Sequence, residues 1–226
     1  MTRIGAFVDA AFAFALTLLV ISVGVIPDSM PKLVDALKGI PAFAASFAQI
    51  ATFWYAHMSW SRRYGLDDFT SVLLSLLLVF LVMVYVYPLK ALFATFFGWI
   101  SNGQLPMGFA LNSTTDLRVM FVVYGVLFAT MSLVISLLYV HAWRQRNALQ
   151  LTPDEGVAVC VQIARRFLPV LVALLSIVVA LVLPQRGPDW VFSMPGWVYA
   201  LLFLSGPFTA WVGRRVRAHF LAAPAT

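Results

Sequence analysis

Two ionisable side chains lie inside apolar stretches of the sequence, where they could carry polar chemistry. Asp9 lies about 8 Å inside the first apolar run, counted along a helix, and His57 lies close to the end of the second run. Such a group costs at least ~2.5 kcal/mol near the centre of a membrane-spanning helix, so it usually has a polar partner or lines a polar path. Because consecutive spans run in opposite directions, Asp9 and His57 share a depth, and a hydrogen bond between them is geometrically possible. The hydroxyl of Ser75, on the third run, lies near the same layer. The three groups therefore either lock helices together or form the mouth of a path.

A second candidate is Thr17, the polar residue near the middle of the first run. Thr17 shares one broad helical face with Phe14, Leu18, Ile21 and Val25. This stripe is weak evidence, because a helix that is apolar all round gives one in any register. A threonine hydroxyl can also bond a backbone carbonyl of the preceding turn. Spacing alone thus leaves open whether this face lines a path or belongs to an ordinary span.

The elements that must position these residues are long apolar runs. The chain has 226 residues, of which 62% are apolar and 11% charged, whereas soluble domains have roughly 45–50% and about 25%. Six runs are each near or above the roughly 20 residues that a spanning helix needs. They cover about residues 4–26, 40–60, 69–97, 117–141, 163–183 and 190–212. We therefore predict an all-α polytopic membrane protein with six transmembrane helices in a single domain.

The basic residues indicate the orientation of these spans. Ten of the 15 lysines and arginines fall on the side that holds both termini. The positive-inside rule places that side in the cytoplasm. The net charge of +6 is explained by this topology, since the basic residues stand in pairs between apolar runs rather than on one face that would bind nucleic acid.

Enzyme and cofactor chemistry find no support in the sequence. The patterns HExxH, GxSxG, GxxxxGK[ST] and GxGxxG are missing, and the single Cys160 has neither a disulfide partner nor a metal-binding spacing. The sequence therefore predicts neither an enzyme nor a cofactor or metal site.

Motifs in the first three runs resemble one known family. The motifs are Arg3-x-x-x-Phe7-x-Asp9-x-x-Phe12-Ala13 followed by Thr17 to Val20 and Pro27, then Ser46-Phe47 and Phe53-Trp54-x-x-His57, and the stretch from Leu73 to Pro88. They resemble the first three helices of the transmembrane protein 175 family, potassium-permeable channels of bacteria and of the animal lysosome. The likeness is motif-specific over about the first 90 residues, and six spans with cytoplasmic termini match one family repeat.

The resemblance implies a homotetramer in a bacterial inner membrane, with the first helices around a central pore that conducts potassium passively and without a cofactor. It places the constriction at Phe14, Leu18 and Ile21, which gates by dewetting of an apolar neck. Thr17 and Val25 then line the path. A polar layer supports the packing behind the constriction and consists of Arg3, Asp9, Trp54, His57 and Ser75.

Four positions depart from the family pattern. Val8 replaces a serine of the first motif, Ser75 stands at an asparagine position, Phe14 occupies a place where isoleucine or leucine is common, and Ser22 replaces an acidic residue. Besides the channel, we considered a non-conducting scaffold or accessory subunit. A proton-coupled transporter using Asp9 and His57 is less favoured, since no inverted repeat or broken helix pair is evident, and an intramembrane enzyme is favoured least.

Overall fold

A computed structural model describes residues 2–21, 27–108, 113–184 and 189–222. All regular structure in these ranges is helical, which confirms the predicted all-α class. The helices are α1 (Arg3–Ile21), α2 (Met30–Leu37), α3 (Ile40–Tyr64), α4 (Phe69–Ile100), α5 (Thr114–Arg144), α6 (Pro153–Val182), α7 (Asp189–Trp197) and, after a 3-10 segment at Val198–Leu204, α8 (Ser205–Ala222).

The length and apolar character of these helices fit a membrane protein. Among the described residues, five segments are long and apolar enough to span a bilayer by themselves. A sixth span is counted when α2 and α3, which meet at a bend of 42°, are taken together. The apolar run 40–60 corresponds to α3, which continues to Tyr64 and ends at Gly65, whose φ of 59° is the left-handed conformation that favours glycine.

Two helix boundaries differ from the apolar runs. The run 163–183 corresponds to α6, which already begins at Pro153. The early start has a local cause: Thr152 and Glu155 form a reciprocal capping box, although the polar first turns of the helix lack the hydropathy of a span. The run 190–212 is divided between α7, the 3-10 segment and α8, with Pro195 inside α7.

Helix packing places α1 at one side of the bundle. α1 packs on α3 and α4, α5 packs on α4 and α6, and α8 packs on α6 and the 3-10 segment. The core between these helices is rich in aromatic rings, including the edge-to-face pairs that Phe53 forms with Tyr85 and Phe128. The bundle thereby holds one side of α1 firmly.

Candidate functional site

The first helix has two different faces. Val8, Phe12, Ala15 and Leu19 are at most 1% exposed and belong to the core. The other face carries Ala6, Phe7, Ala10, Ala13, Phe14, Thr17 and Ile21, all of which are exposed. Its large side chains are about as exposed as surface groups of a soluble protein, with 53% for Phe7, 54% for Phe14 and 65% for Ile21. In a membrane-spanning helix, an apolar face of this kind opposite a packed one meets either lipid or a further protein surface.

Thr17 lies on the exposed face between Phe14 and Ile21. Its hydroxyl donates to the carbonyl of Ala13 at 3.0 Å, which is the intrahelical bond that the sequence left open. Because that bond uses the only hydroxyl proton, the outward lone pairs of the oxygen remain available as acceptors. The side chain can therefore offer an oxygen to a cation or a water molecule, but no proton.

The other residues predicted for the path are placed less uniformly. Leu18 is partly buried and packs against the core cluster, so it lies at the border between the two faces of α1. Val25 and the divergent Ser22 lie outside the described residues. Of the predicted constriction, the structure thus brings Phe14 and Ile21 onto one exposed face and leaves Leu18 at its edge.

Residues of the predicted polar layer lie on α1, α3 and α4. The structure pairs Asp9 with Trp54, and not with His57 as the sequence suggested. Trp54 Nε1 donates to Asp9 Oδ1 at 2.9 Å, and His57 Nε2 and Ser75 Oγ are 2.9 Å apart. Trp54 and His57 are one turn apart on α3, so one helix reaches both neighbours. His57 and Ser75 are fully buried, and the two pairs tie α3 to α1 and to α4.

Arg3 is the member of the predicted layer that the structure leaves out. Its side chain is exposed at the start of α1, and in the described part of the chain it has no ion-pair partner. Arg3 therefore contributes a positive charge at the helix end rather than a packing contact.

A close approach of α1 and α3 beside this layer escaped the sequence analysis. A Cβ atom on Gly5 would lie 2.8 Å from Ser61 Oγ, and Thr2 Oγ1 is 3.4 Å from the same oxygen. The contact borders a cleft of about 330 Å³, whose lining also includes Asp9 and His57. The available signal was spacing, since Gly5 stands one turn before Asp9 and Ser61 one turn after His57.

The buried Nδ1 of His57, beside this cleft, has no hydrogen-bond partner among the described residues. A buried polar atom of this kind is commonly satisfied by water when the space is polar and large enough. A metal site is not indicated: within the described ranges, no three His, Cys, Asp or Glu side chains come together.

Comparisons with known proteins agree on one family. The family described as the endosomal/lysosomal potassium channel TMEM175 matches residues 3–88, which include α1, α3 and the polar layer. A protein of Marivirga tractuosa named "Potassium channel" is 35% identical over 225 residues, covering 95% of this chain and 90% of its own length.

Solved structures of the same family share the fold. A crystal structure of a variant of the potassium channel MtTMEM175, bound to a nanobody fusion protein, superposes with a TM-score of 0.80 at 32% identity, over 96% of this chain and 94% of that one. The lysosomal potassium-selective channel TMEM175 homologue of Chamaesiphon minutus resembles the chain in fold, with a TM-score of 0.55 at 23% identity, covering 92% and 96%.

Proposed function

Because this chain belongs to the TMEM175 family, we propose that it is a potassium-permeable channel, a single domain that assembles as a homotetramer with four copies of α1 around a central pore. The observation that carries this proposal is the two-faced α1. Its packed face binds the rest of the subunit through α3 and α4, while Phe7, Phe14 and Ile21 remain exposed. Four such faces around one axis would enclose a path with an apolar wall.

The narrow part of this path would be built from Phe14, Leu18 and Ile21. Phe14 and Ile21 are two turns apart, so the neck would extend over about 10 Å. Four copies of these bulky apolar side chains over this length would oppose the entry of water. An ion would pass only when the neck is hydrated. The border position of Leu18 means that a small rotation of α1 would move this side chain into or out of the path. Gating by such a rotation would require the bond from Trp54 to Asp9, which ties α1 to α3, to shift or break.

Thr17 would supply a hydroxyl oxygen inside this neck. Its oxygen keeps outward lone pairs after donating to Ala13, and hydroxyl and carbonyl oxygens are suitable contacts for a hydrated potassium ion. Val25, which lies outside the described residues, remains a proposed pore-lining residue from the sequence alone. The permeating ion is the only ligand in this account.

The polar layer would support α1 from behind. The bond from Trp54 to Asp9 ties α1 to α3, and the bond between His57 and Ser75 ties α3 to α4 behind it. Polar contacts between membrane helices serve this purpose because an unpaired polar group in hydrocarbon is costly. Both pairs lie on the side of α1 that faces its own subunit, away from the proposed path.

The proposed location is a bacterial inner membrane with both termini in the cytoplasm. The orientation is supported by the charge asymmetry of the sequence, because ten of the 15 lysines and arginines lie on the side of the termini.

Ion flux from liposomes that contain the purified protein tests the proposal. Under a potassium gradient we expect wild-type flux, and we expect Phe14→Ala to raise it several-fold because four aromatic rings leave the neck. Phe80→Ala is the matched control, since Phe80 is 63% exposed but lies on α4. The same assay with sodium measures selectivity. No flux from any of the three folded proteins would contradict the channel and favour the non-conducting scaffold.

A further inference from the structure

An apolar groove lies between α6 on one side and the 3-10 segment and α8 on the other. It has a volume of about 500 Å³ and eight apolar lining residues. These are Leu168, Leu171, Val172, Leu175, Leu201, Leu204, Pro207 and Phe208. The groove is open along one side, so a long apolar ligand could enter it laterally from the bilayer.

Arginines continue both walls of the groove at one end. On α6, Arg165 stands one turn before Leu168 and therefore on the same face. On α8, the face of Phe208 continues through Trp211 to Arg215. Arg214 is the next residue in the chain but lies about 120° round the helix from Phe208. The two ends meet, since a Cβ atom on Gly213 would lie 3.5 Å from Val161 Cγ2 on α6.

These arginines are free to bind an anion. Arg165, Arg214 and Arg215 are exposed, and none of them has an ion-pair partner among the residues that the structure describes. The Arg215 guanidinium lies 5.6 Å from the centre of the Trp211 ring, and the Trp211 and Phe208 rings are 6.5 Å apart. Tryptophan and arginine in this arrangement are typical of the headgroup level of a membrane.

The dimensions correspond to one leaflet. From Arg165 to Leu175 is about 15 Å along a helix, which is about half of the roughly 30 Å hydrocarbon core. The arginine end is the cytoplasmic end under the positive-inside rule. The groove is also remote from α1, because α8 packs on α6 whereas α1 packs on α3 and α4, so it lies away from the centre of an assembly built around α1.

We propose that the groove between α6 and α8 binds an anionic phospholipid of the cytoplasmic leaflet, with an acyl chain along the apolar wall, the phosphate held by Arg165 and Arg215, and further positive charge from Arg214. Basic pockets between membrane helices on the cytoplasmic side bind such headgroups. The apolar wall distinguishes this site from a merely basic surface, since it requires a lipid tail and not a free phosphate.

Native mass spectrometry of the full-length protein in detergent tests this, with phosphatidylglycerol and phosphatidylcholine titrated separately. We expect wild type to bind phosphatidylglycerol more tightly. In the triple variant Arg165→Gln/Arg214→Gln/Arg215→Gln that affinity should fall by up to about a hundredfold, since each of the three basic residues at an anionic headgroup is worth roughly fivefold. The matched control is Arg63→Gln/Arg144→Gln/Arg146→Gln, which removes three exposed cytoplasmic arginines elsewhere and should leave the affinity unchanged.

A second pair of variants tests the tail. Leu171→Trp fills the groove and should weaken binding of phosphatidylglycerol, whereas Leu174→Trp, on the same helix but outside the groove, should not. Glycerol 3-phosphate, which has the headgroup without a tail, should not displace the lipid. Equal losses in both triple variants would overturn the proposal in favour of general surface charge. A lower oligomer mass in Leu171→Trp alone would overturn it in favour of a second copy of the chain.

Discussion

At the scale of single residues, Thr17 is the polar exception on an otherwise apolar surface. Among the described residues of α1 beyond Arg3, it is the only exposed side chain that carries a polar atom. Its position between Phe14 and Ile21 places one oxygen per subunit in the proposed neck. Because the Thr17 hydroxyl donates its proton in a hydrogen bond to the carbonyl oxygen of Ala13, the hydroxyl oxygen can act towards the path only as an acceptor, which suits a cation.

Replacement of Thr17 should therefore lower conduction. Thr17→Val keeps the shape but makes the neck wholly apolar, so hydration of the neck becomes less favourable and potassium flux should fall several-fold. Thr17→Ser restores the hydroxyl and should recover most of the flux. The measurement is potassium efflux from liposomes at equal protein content. Unchanged flux in Thr17→Val would show that the hydroxyl does not face the path.

Trp54 acts on α1 through Asp9. In Trp54→Phe the indole donor is lost while a ring remains, and a part-buried carboxylate keeps one unsatisfied oxygen, at a cost of about 1–3 kcal/mol. We expect a lower thermal unfolding temperature for the purified protein. Trp99→Phe is the control, because Trp99 is 41% exposed near the end of α4. Equal stability of both variants would mean that the bond contributes nothing to holding α1.

At the scale of elements, a polar contact joins the ends of α4 and α5 on the side of the polar layer. Asp68 caps α4, where it accepts from the amide of Thr70, and it also accepts from the Ser71 hydroxyl at 2.6 Å. His141, in the last turn of α5, lies 2.9 Å from the Asp68 carboxylate. Partial burial raises the pKa of Asp68, but the hydrogen bond from Ser71 and the nearby imidazole of His141 outweigh it, so the net pKa lies below its ordinary value.

The lowered pKa predicts the pH dependence of this contact. A carboxyl whose pKa is lower in the folded state stabilises the fold above its unfolded pKa, which is about 3.9, and the contribution is lost as the pH falls further. Wild type should therefore lose unfolding temperature below about pH 4 more steeply than Asp68→Asn, which keeps a capping side chain without the charge. Asp67→Asn, one residue away and exposed, should behave like wild type. Parallel curves for wild type and Asp68→Asn would contradict the assignment.

The sequence predicted the elements better than the partners within them. Hydropathy was sufficient to predict the helical class, and the cost of buried ionisable groups led to the prediction of a shared layer of Asp9, His57 and Ser75. The choice of Trp54 rather than His57 as the partner of Asp9 depends on the rotation of α3, and spacing does not decide it because the two residues are one turn apart on that helix. The start of α6 at Pro153 was missed because capping, not hydropathy, decides it.

At the scale of the whole molecule, the two sides of the bundle would have different surroundings. The exposed face of α1 would meet water and ions at the centre of a homotetramer, whereas the groove of α6 and α8 would meet lipid. Both assignments start from side chains that the single subunit leaves exposed. The proposed channel depends on one of these assignments, namely that water reaches the exposed face of α1 in the middle of the membrane.

Thiol accessibility measures this claim directly. Cys160 is the single cysteine, so Cys160→Ser provides a background into which Thr17→Cys is introduced. Thr130→Cys is the matched control, because Thr130 lies in α5 and its hydroxyl makes the same bond, to Val126, at 2.7 Å. The reagent is a charged, water-soluble methanethiosulfonate, which reacts with the thiolate that forms in water and not in hydrocarbon.

We expect the reagent to modify Thr17→Cys in proteoliposomes and to block its potassium flux, while Thr130→Cys stays unmodified and conducts. Potassium in excess should slow the modification, because ion and reagent share the path. A conducting Thr17→Cys protein that the reagent leaves unmodified would contradict the claim that this face of α1 lines the pore.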